Sequence, residues 1–166
     1  MEKLKKYILS AITGLDAIKK ASIVNYKTNL RCLRIGDISQ NKKIFEWGYT
    51  NALFDKVKQF LIKKDDIFIA RTGTSIGCSF FADKNLNSVF NNGIIRLRTN
   101  NVLIPKFLFY FIQTKIFKDY IYNIGIASST QPNIKIIDIL NYNVNVPDLP
   151  IQQHIVNTIL LFHLFF

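Results

Sequence analysis

The spacing of apolar and polar positions changes several times along the chain, and each change marks an element. The apolar run IFIA at 67–70 lies between the charged cluster 63–66 and a Thr/Gly/Ser turn at 72–75, which predicts a buried strand. Residues 76–82 predict a second strand, so the pair reads as a hairpin with Gly73 at its tip. Residues 93–98 alternate apolar and basic side chains, predicting a half-buried strand whose solvent face carries Arg96 and Arg98. Helical spacing predicts a turn or two over 51–61 through Leu53, Phe54, Val57, Phe60 and Leu61. The clearest helix starts at Pro105, which suits a first turn, runs through Phe107, Leu108, Phe111, Ile112, Phe117, Tyr120, Ile121 and Ile124, and can end at Gly125. A last helix over 151–166 carries a stripe of Ile151, Ile155, Ile159 and Phe162 or Phe166.

The remaining segments are shorter. Leu33, Ile35 and Ile38 surround Gly36-Asp37, read as a short strand closing on a turn in which glycine supplies unusual backbone angles. A turn through Asp138 leads to a final strand at 142–146. Residues 2–12 fit either a strand or a short amphipathic helix. Residues 14–29 read as a polar arm whose Lys19, Lys20 and Lys27 make it a candidate DNA-facing edge. Strands and helices in this order predict an α+β fold, a mixed, twisted sheet with packed helices and a short C-terminal helix.

At 166 residues the chain fits one domain with a real core. Twenty-two Lys and Arg against 11 acidic residues give a net charge of +11, which favours a polyanionic partner such as nucleic acid. The lysines travel with many Asn, Ile, Phe and Tyr, a composition that AT-rich coding alone can also produce. Cys32 and Cys78 are isolated, so no zinc site or disulfide framework is expected and a reducing cytoplasm is the simplest compartment. The first 13 residues lack a signal-peptide pattern, and the apolar stretch from 151 is interrupted by Gln152, Gln153, His154, Asn157 and His163, which argues against a membrane span.

Catalytic patterns are missing from the sequence. The run from Gly73 to Gly77 has no lysine after it and is not a P-loop. His154 and His163 are too far apart along a helix to share a metal. No Ser-His-Asp, Cys-His or paired-carboxylate spacing can be argued, and a methyltransferase would need a cofactor-binding glycine turn that is not found. The chain reads as a binding module.

Its candidate contacts with DNA are basic residues interleaved with aromatics and amides: Lys42, Lys43, Trp47 and Tyr49 in one loop, Arg71, Thr72, Thr74 and Ser75 at the hairpin, Lys84 and Asn85 in the next loop. Lys19, Lys20, Arg96 and Arg98 join them. Lysines neutralise phosphates, whereas Arg, Asn and Gln can read base edges. Bland readings stand beside these: Trp47 as a core anchor, Arg71 as the partner of Asp65 or Asp66, Asn91-Asn92 as a turn, and Gln131 and Asn133 as turn formers whose amides cap backbone groups.

Three runs in fixed order, LRIGDI at 33–38, KDDIFIARTGTSIG at 64–77 and QPNI at 131–134, followed by the closing segment NVNVPDLPIQQ at 143–153, resemble one target recognition domain of a type I restriction-modification specificity subunit. The resemblance covers residues 3–157. It implies a target recognition domain over 1–150 and, over 151–166, the start of the helix that spaces two such domains. It further implies a non-catalytic subunit that reads one half of a split target in double-stranded DNA. A partner methyltransferase subunit would bind S-adenosylmethionine and methylate adenine, so no cofactor is expected here, and a restriction/translocase subunit can join the assembly.

A typical specificity subunit has two recognition domains and two long helices, whereas this chain has one domain and about four helical turns. A half-subunit that forms a homodimer, a truncated product and a fragment all fit that difference. The apolar end from Leu160 should bury against its own domain, a second copy or the methyltransferase, with Ile151, Ile155, Ile159, Phe162 and Phe166 as contacts. A competing reading is an interaction fragment that binds the methyltransferase or itself without reading DNA. A stand-alone RNA binder is weaker, since no RNA-binding motif is visible.

Overall fold

The computed structural model describes residues 1–16, 20–127 and 132–165. Its centre is an antiparallel sheet in the order β2-β9-β6-β7, formed by β2 (Ile8–Thr13), β6 (Ile67–Ala70), β7 (Ser79–Phe81) and β9 (Ile94–Thr99). A second sheet, β3-β5-β4-β8, joins β3 (Ile23–Val24), β4 (Leu30–Leu33), β5 (Tyr49–Thr50) and β8 (Ser88–Phe90), and its β4-β8 pair is parallel. A third, two-stranded pairing ties the chain's beginning to its later part, β1 (Glu2–Lys3) against β10 (Asn143–Val144). The mixed α+β architecture is that expected from the sequence.

Strand alternation divides the interior into layers. Ile67, Ile69, Ile95 and Leu97 point to one side of the central sheet, where they pack with Leu108 and Ile112 of α3 (Pro105–Ile112), Phe117 and Ile121 of α4 (Lys115–Ala127) and Ile139 of α5 (Ile136–Leu140). Phe68 and Ile94 point to the other side, against Leu33, Trp47, Ile62 and Phe90. A third cluster, including Leu30, Cys32, Val57 and Val89, packs next to the second sheet. Burial of the Cys32 thiol pushes its pKa up to about 12.

The central sheet is therefore covered on both faces, and this overturns the expected solvent face for β9. Arg96, in register with Phe68 and Ile12, lies in the interior and is 3% exposed. The helix expected over 105–125 is two helices, because Thr114 interrupts the first: its Oγ1 donates to Phe111 O (2.7 Å) and accepts from Phe117 N, opening α4. The expected strand at 33–38 ends at Leu33, and α1 (Ile35–Ser39) takes over. Gly36 there has open space around it and no left-handed φ, so its role is not the turn geometry expected; Gly73, at φ +73°, does occupy the left-handed region. The strand expected at 142–146 is only Asn143–Val144.

One capping device recurs. The carboxylate three residues on accepts the backbone N–H at Arg34 (Asp37), Lys43 (Glu46), Lys63 (Asp66) and Lys135 (Asp138), at 2.6 to 2.9 Å. Each closes a tight turn and holds the chain entering it.

The terminal helix α6 (Leu149–Phe165) starts two residues before the expected position 151. Among its described side chains Gln152 and Val156, rather than the predicted isoleucine stripe, are the buried ones; Ile151 is exposed, and Ile155 and Ile159 are half-buried. Gln152 is completely enclosed. Its Oε1 accepts from Ile104 N (2.8 Å), and its Nε2 donates to Val102 O (3.0 Å) and Pro147 O (2.7 Å). Leu160, Leu161 and Phe162 stay exposed; Phe166 lies outside the described residues. Among the described residues no helix is long and apolar enough to cross a membrane.

Candidate nucleic-acid interface

The loop 40–47 is built from its anchors outward. Trp47 is 1% exposed and packs edge-on against Phe80 at 5.3 Å, while its Nε1 donates to Lys42 O (3.3 Å). Arg31 donates to Trp47 O and, at 2.6 Å, to Tyr49 Oη, with its guanidinium 4.0 Å from the Tyr49 ring centroid. A short 3-10 turn, Ile44–Glu46, is locked by the Glu46 carboxylate on Lys43 N (2.6 Å) and tucks Ile44 against the inter-sheet core. Asp37, 2% exposed, holds the start of the loop through Arg34 and, at 3.6 Å, Lys42 Nζ.

This loop forms one wall of a groove of about 800 Å³. Edge strand β7, the following loop at 83–86, and Lys106 and Phe109 of α3 line the rest. Its charged residues are Arg31, Lys42, Lys43, Lys84 and Lys106, with Asp83 the only acid. An adjoining hollow of about 370 Å³ shares Arg31, Ile44 and Leu86 and adds Lys27 and Tyr49. Positive charge lining a concave, partly apolar wall concentrates the field on an approaching polyanion. Lys43 and Lys84 are exposed; Lys106 lies 4.5 Å over the Phe81 ring, and Arg31 is already bound to protein acceptors.

The structure thus brings together Lys42, Lys43, Tyr49 and Lys84 from the sequence candidates and separates the others. Trp47 is in the core, which removes it as a direct base contact. The tip of the hairpin docks onto 132–134: Gly73 N donates to Pro132 O (3.0 Å), Ile134 N to Arg71 O (2.9 Å), and Thr72 bridges Asn133. Arg71 donates from Nε to Ile134 O (3.1 Å) and from Nη2 to Asn133 Oδ1 (3.1 Å), so the ion pair with Asp65 or Asp66, one of its two sequence readings, is not made. The Asn133 side chain serves this arginine, and its backbone N–H donates to Gly125 O (3.2 Å). Thr72, Thr74 and Ser75 share that end of the hairpin, outside the groove.

Asp66 pairs with Arg98 instead. Its carboxylate is 0% exposed and accepts from Arg98 Nε (2.5 Å) and Nη2 (3.0 Å) and from Lys63 N (2.8 Å). Arg96 donates from Nη1 to Gln59 O (2.9 Å), and its buried Nε has no partner. Burial, with the Arg98 charge adding to it and Asp66 opposing, lowers the Arg96 pKa to about 10. Both arginines are parts of the framework rather than of a solvent face. Asn85 Oδ1 accepts from Lys64 N (2.9 Å), and Lys20 lines a separate cavity of about 560 Å³ with Lys56. Lys19 and Gln131 lie outside the described residues.

Sequence reasoning missed Arg31, Phe45 and Lys106. Lys106 had a legible signal, since it falls off the apolar face of its helix. Arg31 had a weaker one, a lone charge in an apolar strand.

Solved structures of low identity share the fold. A chain from work on complex assembly and conformational transition of the type I R-M system superposes with a TM-score of 0.70 at 16% identity, covering 97% of this chain and 37% of its own length. The type I restriction-modification S subunit from M. genitalium gives 0.65 at 18% identity, covering 98% and 38%. The HsdS subunit from Thermoanaerobacter tengcongensis gives 0.63 at 17% identity, covering 94% and 35%. The chain thus spans between 35% and 38% of the length of these solved chains. No curated protein sequence matches it significantly. A profile of the type I restriction modification DNA specificity domain matches residues 9–162, nearly the whole sequence, and the chain belongs to that family.

Proposed function

We propose that this chain is a non-catalytic, sequence-reading domain that binds one half of a split target in double-stranded DNA and directs a partner methyltransferase to it. The observation that carries the reading is the groove in which Lys42, Lys43, Lys84, Lys106 and Arg31 converge with a single acid. The lysines would hold phosphates flanking the half-site, and the loop at 40–47 would enter the major groove. S-adenosylmethionine would be held by the methyltransferase subunit, and a restriction/translocase subunit could join the same complex in the cytoplasm. Exposed Ile151, Leu160, Leu161 and Phe162 on α6 support a helix covered by a partner, either that methyltransferase or a second copy.

The test is selection from a random duplex pool at two salt concentrations, with and without the methyltransferase subunit, followed by sequencing of the retained DNA. Enrichment of a short motif is the expected result. Strongly salt-dependent retention without a motif would mean that the charge binds phosphate only, and the recognition reading would fall.

A further inference from the structure

Phe45 is 74% exposed at the top of the loop that walls the groove. Leaving a phenylalanine ring in water forgoes the favourable burial that such a side chain normally gains. Here the exposure is built in. Ile44 packs half-buried against the core, Glu46 is turned back onto Lys43 N, and Trp47 is buried, so anchors on both sides hold the ring outward. Lys43 stands beside it in sequence and Lys84 on the opposite wall, both exposed.

A rigid apolar tip flanked by phosphate-binding charge is complementary to a base-pair edge at the floor of a DNA groove. A phenyl ring has no hydrogen bond to offer a base, and the apolar group that distinguishes one base pair from the others in the major groove is the thymine 5-methyl. We infer that Phe45 is a specificity-determining residue that packs against a thymine methyl within the half-site. The inference rests on the recognition reading above and adds to it the residue and the base. Lysines at the groove supply affinity that is blind to sequence, and Phe45 supplies discrimination at one position.

The experiment repeats the duplex selection with the full-length wild-type chain, Phe45→Ala and Phe45→Leu, then measures each protein on the selected duplex with individual thymines replaced by uracil, which lacks the methyl. Wild type should enrich a motif with a thymine that Phe45→Ala no longer prefers. Uracil at that position should weaken wild type by about five-fold and leave Phe45→Ala unchanged, while the salt slope stays the same in all three. Phe45→Leu should keep part of the preference, and unchanged melting temperatures show that all three are folded. The same motif at the same strength in Phe45→Ala, or equal sensitivity of both proteins to uracil, would overturn the role of Phe45 while leaving recognition intact. Loss of preference at a position other than thymine would overturn the methyl contact. No motif in wild type would remove the recognition reading and Phe45's role with it.

Discussion

Asp66→Ala separates a framework charge from the charges proposed to bind DNA. The Asp66 carboxylate is 0% exposed and serves Arg98 twice and Lys63 N once. Breaking a buried ion pair by removing one partner costs about 3–5 kcal/mol, because the other charge stays desolvated. Arg98 keeps 27% of its side-chain surface exposed, so water relieves part of that penalty and the cost falls at the low end, about 3 kcal/mol. For a chain of this size that is a fall in Tm of about 6–12 °C. Arg98→Ala should cost at least as much, since it strands a carboxylate that has no access to water. The double variant should lose clearly less than the two singles added, with a coupling of about 1–3 kcal/mol. Thermal and urea unfolding followed by circular dichroism measure all three, and DNA binding against salt is measured on the same samples. An Arg98→Ala protein that melts like wild type but binds DNA with a shallower salt slope would refute the reasoning and return Arg98 to the interface.

The groove lysines make the opposite prediction: Lys43→Ala and Lys84→Ala should each flatten the slope of log K against log salt by about 0.9, with no change in Tm. Trp47→Ala should cost about 3–5 kcal/mol in urea unfolding, because it empties a core site and unseats the loop; an unchanged midpoint would contradict its burial. Cys32 should resist iodoacetamide at pH 8 in the folded chain, and half-exposed Cys78 should react first, as read by mass spectrometry. Because the Cys32 pKa is raised in the fold, its contribution is fully present below the unfolded value near 9 and is lost as pH climbs from there toward about 12, so stability should fall with rising pH in that window. Gln152→Ala should cost about 2–4 kcal/mol by leaving one buried donor and two acceptors unmet, and hydrogen exchange should show α6 loosening before the sheets; uniform loosening would contradict its role as the helix's attachment.

The elements legible in the sequence were those whose apolar period is clearest: the 67–70 strand, its hairpin partner and the helical stretch opened by Pro105, though not its break at Thr114. Arg96 was misread because alternation distinguishes two faces but not what covers them; a second sheet supplied by residues distant in sequence encloses the face taken for solvent. For Trp47 the sequence left core anchor and base contact both open, and Arg98 was placed on a solvent face, because the partners that commit them, Phe80 and Asp66, are set by tertiary packing. Lys42, Lys43 and Lys84 were singled out as basic candidates, and Lys43 and Lys84 are exposed whereas Lys42 is half-buried beside Asp37; their convergence on one groove depends on β7 lying next to the 40–47 loop, which no local pattern announces. Phe45 passed as an ordinary apolar residue because only the fixed turn around it shows that it is held outward.

All three groups that Gln152 binds belong to the main chain: the amide of Ile104 and the carbonyls of Val102 and Pro147. A joint of this kind is indifferent to which side chains its neighbours carry, provided the backbone keeps its path. Residues around it can drift, and side chains in the loops at 40–47 and 83–86 can change, while the direction in which α6 leaves the domain is preserved. The path of the terminal helix is thereby uncoupled from the chemistry of the groove.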